Sequence, residues 1–234
     1  MSLDIQASAT PLELLRADAK LPENRVLDHP VWKSALEGKL PKAQVKKLLV
    51  AFYPVLAGPG RYAFAAKVSQ IDPLDGKELF LQLHEALKNE AADADAGWKR
   101  LLLALGASER EVRGALANPS AEAADLIDVI REHGLRSGPV EASAIAYMLE
   151  QHLPRLWGRL ADSLEKHYGL KRDALAHLRH EAGRAGKMEK WVQHLVEKYV
   201  AGAEPYKMLE ARRAAREALW AWTALTESAV EPRR

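Results

Sequence analysis

Apolar side chains recur along most of the chain at the three- and four-residue spacing of an amphipathic α-helix. The segment 41–56 is the clearest case, and its stripe consists of Val45, Leu48, Leu49, Phe52 and Leu56. No segment alternates every two residues, as a half-buried strand would. Up to residue 133 the pattern predicts helices at residues 11–19, 41–56, 61–70, 74–89, 98–105 and 120–133.

Longer helices are predicted in the second half, over residues 140–168, 171–200 and 204–228. Pro154 should kink the first of them, because proline lacks the backbone donor and crowds the preceding turn. Gly169 should end it. Ser108 and Glu111 have the spacing of a capping box, which marks a helix start. The expected fold class is therefore all-α.

Chain length favours one domain, since 234 residues suffice for a single well-filled core. We predict a multi-helix bundle over residues 25–228. A short N-terminal extension with one helix precedes it at 1–24, and a C-terminal tail follows at 229–234.

Charge and composition exclude several function classes. The 34 basic and 32 acidic residues are interspersed and give a net charge of only +2, so a nucleic-acid partner is not expected. No apolar run is long enough to cross a bilayer, and residues 1–10 lack the features of a signal peptide. We therefore expect a cytoplasmic protein with no membrane association. The absence of cysteine excludes disulfides, iron–sulfur clusters and thiol nucleophiles.

The most suggestive chemistry lies in the helix predicted at 171–200. His180, Arg184 and Lys187 fall at i, i+4 and i+7, which places an imidazole and two cations on one helical stripe. If this stripe faces inward, Glu150 and Glu90 could neutralise the cations, because an unpaired buried charge is costly. An excess of positive charge would then select an anionic ligand, with His180 as the proton-transfer group.

A structural interpretation stands beside the chemical one. Arg184 and Lys187 are also what a solvated helix face contains. Tyr53 and Trp157 are interpreted mainly as core aromatic residues and secondarily as walls of a pocket. Arg216 could extend from its charged helix into the pocket. The remaining aromatic and histidine side chains are interpreted as packing, structural or exposed residues: Trp98, Trp191, Trp220, Trp222, His84, His152, His177 and His194.

Four segments, in order and spacing, resemble the haem-oxygenase-like superfamily, which includes thiaminase II, pyrroloquinoline-quinone synthase and di-iron oxidases. They are HPVWKSALEGKLPKAQVKKLLVAFYPV, NEAADADAGWKRLLLALG, YMLEQHLPRLWGRLADSLEKHYGL and LRHEAGRAGKMEKWV. The resemblance covers about residues 25–228 and implies a haem-oxygenase-like helical bundle. Homodimers are usual in this superfamily, so a homodimer is expected.

The resemblance also bears on cofactors. It places Glu90, Glu150 and His180 at three di-iron ligand positions, which would be the metal ligands if iron binds. Arg184 and Lys187 stand where further ligands are expected, and Gly97 or a neighbour replaces a histidine. A conventional di-iron site is therefore not expected, and the cofactor could be iron or none.

Three activities in the superfamily compare differently with this chain. Thiaminase II uses a cysteine nucleophile, which is absent here. Pyrroloquinoline-quinone synthase oxidises an acidic quinone precursor with dioxygen and no metal, and Arg184 and Lys187 are closer to that arrangement, although Trp157 stands where it has a histidine. A haem oxygenase with His29 as axial ligand is disfavoured because His29 precedes Pro30 at a helix start.

Two function classes follow. The favoured one is a small-molecule oxidase that uses dioxygen on an acidic aromatic or quinoid metabolite. It would use Glu150, His180, Arg184 and Lys187 as catalytic residues and Tyr53, Glu90, Trp157 and Arg216 for substrate binding. The alternative is a non-catalytic protein that binds a ligand or a partner in the same pocket.

Overall fold

The computed structural model describes residues 9–21, 26–56, 92–136, 138–150 and 152–230, together with positions 74, 77, 81, 85 and 89. These residues form α-helices and short helical turns and no strand, which confirms the all-α fold class. The helices are α1 Pro11–Ala19, α2 Pro30–Leu36, α3 Lys42–Leu56, α4 Ala94–Ala104, α5 Glu109–Ala117, α6 Ala121–Arg131, α7 Pro139–Glu150, α8 Leu153–Tyr168, α9 Ala176–Gly183, α10 Ala185–Tyr199 and α11 Pro205–Val230.

Several helix ends form where the sequence indicates them. Ser108 and Glu111 make the predicted capping box, in which Glu111 N–H donates to Ser108 Oγ at 3.1 Å and Ser108 N–H donates to Glu111 Oε2 at 2.7 Å. These bonds and Lys46 lower the pKa of Glu111 to about 2. Gly169 ends α8 in the left-handed conformation, which glycine adopts without steric cost.

Two predicted helices are divided. The predicted kink at Pro154 is a full break, because Pro154 cannot donate to the carbonyl of Glu150, and α7 ends there. The predicted helix at 171–200 is split into a 3-10 turn, α9 and α10, with Arg184 between the two helices. Gly183 and Gly186 flank that break, and glycine weakens a helix interior.

The predicted helix at 61–70 lies outside the described residues. Of the one predicted at 74–89, positions 74, 77, 81 and 85 are helical. Residues 231–234 of the predicted tail also lie outside the description, while residues 229 and 230 still belong to α11.

α11 is the longest of the described helices and packs along α7, α6 and α3. It is 26 residues long, and most of its charged side chains lie in its N-terminal half, between Lys207 and Glu217. None of the helices in the described part of the chain has the length and apolar character needed to cross a membrane.

The N-terminal helix α1 packs onto this bundle. Leu15 is fully buried, and Arg212 of α11 donates two hydrogen bonds to the carboxylate of Asp18, at 2.6 and 2.7 Å. Asp18 is only 4% exposed, so this ion pair is largely shielded from water.

A network of aromatic rings joins six helices at the centre of the core. Phe52 of α3 contacts Trp222 of α11 at 4.5 Å and Trp32 of α2 at 5.4 Å between ring centroids. Trp157 of α8 lies 6.4 Å from Trp32 and 6.3 Å from Trp222, and it meets Trp98 of α4 edge to face at 5.3 Å. Trp98 in turn meets the imidazole of His177 on α9, at 6.4 Å. We call these six side chains the aromatic network.

The aromatic network should contribute strongly to the free energy of unfolding. Replacing Trp157 by alanine removes a 5% exposed ring at the centre of the network, and we expect a loss of about 4 kcal/mol in the free energy of unfolding, measured by urea denaturation. The matched control is Trp220→Ala, because Trp220 is 53% exposed and is therefore not the packing residue that its sequence predicts. The control should change stability by less than about 0.5 kcal/mol, and equal losses in the two variants would contradict this account.

Candidate functional site

A cavity of about 170 Å³ lies beside the aromatic network, and we call it the α9 cavity. Most of its surface is apolar, with a few polar groups, as is usual for small-molecule sites. Its described lining consists of Val55, Leu56, Trp98, Ile127, Ile130, Ile145, Ala146, Leu149, Glu150, Leu153, Pro154, Trp157, His177, Glu181, Arg184, Met188, Trp191 and Trp222.

Indole rings form much of the cavity wall. Trp98, Trp157 and Trp222 belong to the aromatic network, so their positions are fixed by packing on several sides. Trp191 of α10 contributes a fourth ring. Such walls offer a flat apolar ligand extensive contact.

α9 supplies the polar side of the cavity. His177, Glu181 and Arg184 follow one another at i, i+4 and i+7, so they lie along one face of the helix and its C-terminal cap. Leu178 on the adjoining face is 1% exposed and anchors α9 in the core. The helix therefore directs an imidazole, a carboxylate and a guanidinium into the same cavity.

Arg184 and Glu181 form a shielded ion pair. Arg184 Nη1 donates to Glu181 Oε1 at 3.1 Å, and the two side chains are 15% and 18% exposed. The second terminal nitrogen of Arg184 donates to the thioether of Met188 at 3.4 Å. A thioether is a weak acceptor, so this side of the guanidinium is held only loosely.

Glu150 enters the cavity because α7 ends there. The break before Pro154 places Glu150 in the last turn of α7, and Pro154 itself lines the cavity beside it. The carboxylates of Glu150 and Glu181 thus come from two helices that are separate in sequence.

Three of the sequence-predicted site residues, Glu150, Trp157 and Arg184, line the α9 cavity. Tyr53 is not part of the described lining. Its hydroxyl donates to Asp95 Oδ1 at 2.5 Å, and burial together with this carboxylate raises the pKa of Tyr53. Tyr53 therefore anchors α4 to α3.

His180 and Lys187 do not line the cavity in the described structure. His180 Nε2 lies 3.8 Å from Glu85 Oε1, and Lys187 is exposed beyond the break at Arg184. Arg216 is also absent from the described lining, and its buried Nε has no hydrogen-bond partner among the described residues. Glu90 lies outside the described residues. The stripe that faces the cavity thus starts at residue 177 instead of 180.

The described residues hold no cluster of metal ligands, and the ring nitrogens of His29 are engaged with other groups. No group of three or more histidine and acidic side chains is placed to bind a metal in this part of the chain. His29 caps α2, where its Nδ1 accepts from Val31 N–H at 3.3 Å and its Nε2 lies 3.4 Å from Glu227 Oε1. Both ring nitrogens of His29 therefore have partners.

Sequence reasoning did not single out His177 and Glu181, and it assigned three of the four indoles in the described lining, Trp98, Trp191 and Trp222, to packing alone. Two repeats of the same spacing were available, 177/181/184 and 180/184/187. Two apolar residues distinguish the repeats, because both are buried in the structure. Leu178 directly follows His177, and Met188 extends the 177/181/184 spacing by four residues.

Comparison with known proteins gives structural relatives only. No protein-family model matches the sequence, and no curated protein matches it. A TenA homologue from Pseudomonas syringae pv. tomato DC3000 has a TM-score of 0.73 at 12% identity, covering 98% of this chain and 97% of that one. A TenA homologue from P. horikoshii OT3 has a TM-score of 0.69 at 15% identity, with 95% and 99% covered.

A third similar structure is a domain of unknown function with a haem-oxygenase-like fold from Shewanella denitrificans OS217. Its TM-score is 0.68 at 13% identity, covering 98% of this chain and 93% of that one. Identity this low shows the fold alone. The chain therefore has the haem-oxygenase-like fold, as its sequence predicts.

Proposed function

We propose that the α9 cavity is the active site of a small-molecule oxidase that binds an acidic aromatic compound and oxidises it with dioxygen. The observation that carries the proposal is the position of Arg184, a shielded guanidinium in a cavity walled by indoles. The haem-oxygenase-like fold supplies the helical scaffold, and the chemistry is argued from these side chains.

Arg184 can take an anionic ligand without losing its ion pair. Its described partners are Glu181 through Nη1 and the thioether of Met188 through Nη2. A ligand carboxylate is a much better acceptor than a thioether, because a hydrogen bond between two charged groups is shorter and stronger. The carboxylate would therefore replace Met188 as the partner of Nη2, while Glu181 keeps the guanidinium oriented.

The apolar wall selects a flat ligand of limited size. A cavity of about 170 Å³ is comparable to an engineered cavity of about 150 Å³ that binds benzene. One small aromatic ring system with a short acidic substituent fits this space. Its ring would pack against Trp98 and Trp157, and its acid group would face Arg184.

The reaction we propose is oxidation of a hydroquinone acid to its quinone. The substrate gives up two electrons and two protons, and dioxygen accepts them to form hydrogen peroxide. Removing a phenolic proton promotes the electron transfer, and His177 and Glu150 are the groups in the lining that can accept it.

The first test measures binding of benzoate and its neutral isostere benzamide by isothermal titration calorimetry. We expect benzoate to bind the wild type about 10-fold more tightly than benzamide, because only benzoate offers Arg184 a charged acceptor. Arg184→Gln should abolish this preference.

The matched control is Lys187→Gln, which removes an exposed cation three residues away. It should keep the preference for benzoate. Equal affinities for the two compounds in the wild type, or loss of the preference in Lys187→Gln alone, would refute a site centred on Arg184.

A second test measures oxygen uptake and peroxide formation with 2,5-dihydroxybenzoate, corrected for the rate without protein. We expect uptake by the wild type and a fall of about 100-fold in Glu150→Gln, because that variant has lost a proton acceptor. Binding of the compound with no uptake above background would contradict the oxidase and support the non-catalytic binding protein.

A further inference from the structure

We propose that Gly97 is the positioning residue of the α9 cavity, although Gly97 itself does not line it: the space left by its missing side chain admits His177 and sets the position of α9. The inference rests on the proposed function only where ligand affinity serves as a readout. Its structural part concerns the contact between α4 and α9.

The contact is closer than any side chain at position 97 would allow. A Cβ atom on Gly97 would lie 2.4 Å from His177 Cβ, 2.6 Å from its Cγ and 3.2 Å from its Nδ1. Carbon atoms that are not bonded to one another pack at about 3.5–4.0 Å. Alanine at 97 and histidine at 177 therefore cannot both keep their present positions.

Rotation of the imidazole cannot relieve this conflict. The nearest atom is the Cβ of His177, whose position is fixed by the backbone of α9. A side chain at 97 would therefore displace the helix itself, and with it Glu181 and Arg184, which share its cavity face. One missing methyl group on α4 thus controls the three polar groups that α9 contributes to the cavity.

A second glycine allows α9 to approach from the other side. A Cβ atom on Gly158 of α8 would lie 3.2 Å from Ala182 Cβ, a tight contact but a milder one. α9 is thus packed between two helices that each present a glycine. The conflict at Gly97 is the more severe of the two, so Gly97 is the position to test.

Gly114 shows that a helical glycine in this chain need not have such a role. It lies inside α5, and a Cβ atom there would meet nothing within 4 Å. Alanine is the better helix former, so Gly114→Ala should be neutral or stabilising. It is the matched control for the same exchange at 97.

The experiment is a double-mutant cycle on thermal unfolding. Gly97→Ala should lower the Tm by at least about 5 °C in the wild type. A His177→Gly background lacks the His177 Cβ atom, which is the nearest one. There, Gly97→Ala should lower the Tm by no more than Gly114→Ala does. A Gly97→Ala variant that folds only in the His177→Gly background would equally support the positioning role of Gly97.

Benzoate affinity provides a readout that general destabilisation would not move. At a temperature where each variant is folded, Gly97→Ala should weaken benzoate binding about 10-fold, because Arg184 has moved with α9. Gly114→Ala should bind benzoate as the wild type does.

The possible outcomes separate this proposal from the proposed function. An equal loss of Tm in both backgrounds, failure to fold in both, or unchanged benzoate affinity in Gly97→Ala would overturn the role of Gly97. If the wild type itself does not bind benzoate, the proposed function fails, and the thermal cycle still decides the positioning role.

Discussion

The contact of six aromatic side chains at the centre of the bundle is the constraint on which the rest of this structure depends. Trp32, Phe52, Trp98, Trp157, His177 and Trp222 come from six different helices, and their rings meet at centroid distances of 4.5 to 6.4 Å. Rigid rings that contact one another on several sides cannot collapse into the space beside them. The network therefore stabilises the bundle and preserves a cavity along one edge.

Breaks in helices bring the polar groups to that cavity. Pro154 ends α7 at Glu150, and the glycines around Arg184 separate α9 from α10. Because α9 is short and packed closely through Gly97, its face presents His177, Glu181 and Arg184 together. Met188 of α10 continues this face into the cavity lining, whereas Lys187 lies exposed on α10.

The sequence predicted the fold well because helix periodicity and capping are local signals. The helix over residues 42–56, the Ser108 cap and the Gly169 stop all depend on neighbours within a few residues. The lining of the α9 cavity was predicted only in part. Choosing between His177 and His180 required knowing which face of α9 is buried, and recognising Gly97 required its contact with a helix about 80 residues away, which no local pattern contains.

The most direct test of the central claim is a crystal structure of the protein soaked with 4-bromobenzoate, in which anomalous scattering locates the bromine. The account predicts a bromine peak between the indoles of the α9 cavity, with the carboxylate hydrogen-bonded to Arg184 in place of Met188. A bromine peak only outside this cavity, with Arg184 still bonded to Glu181 and Met188 alone, would contradict it.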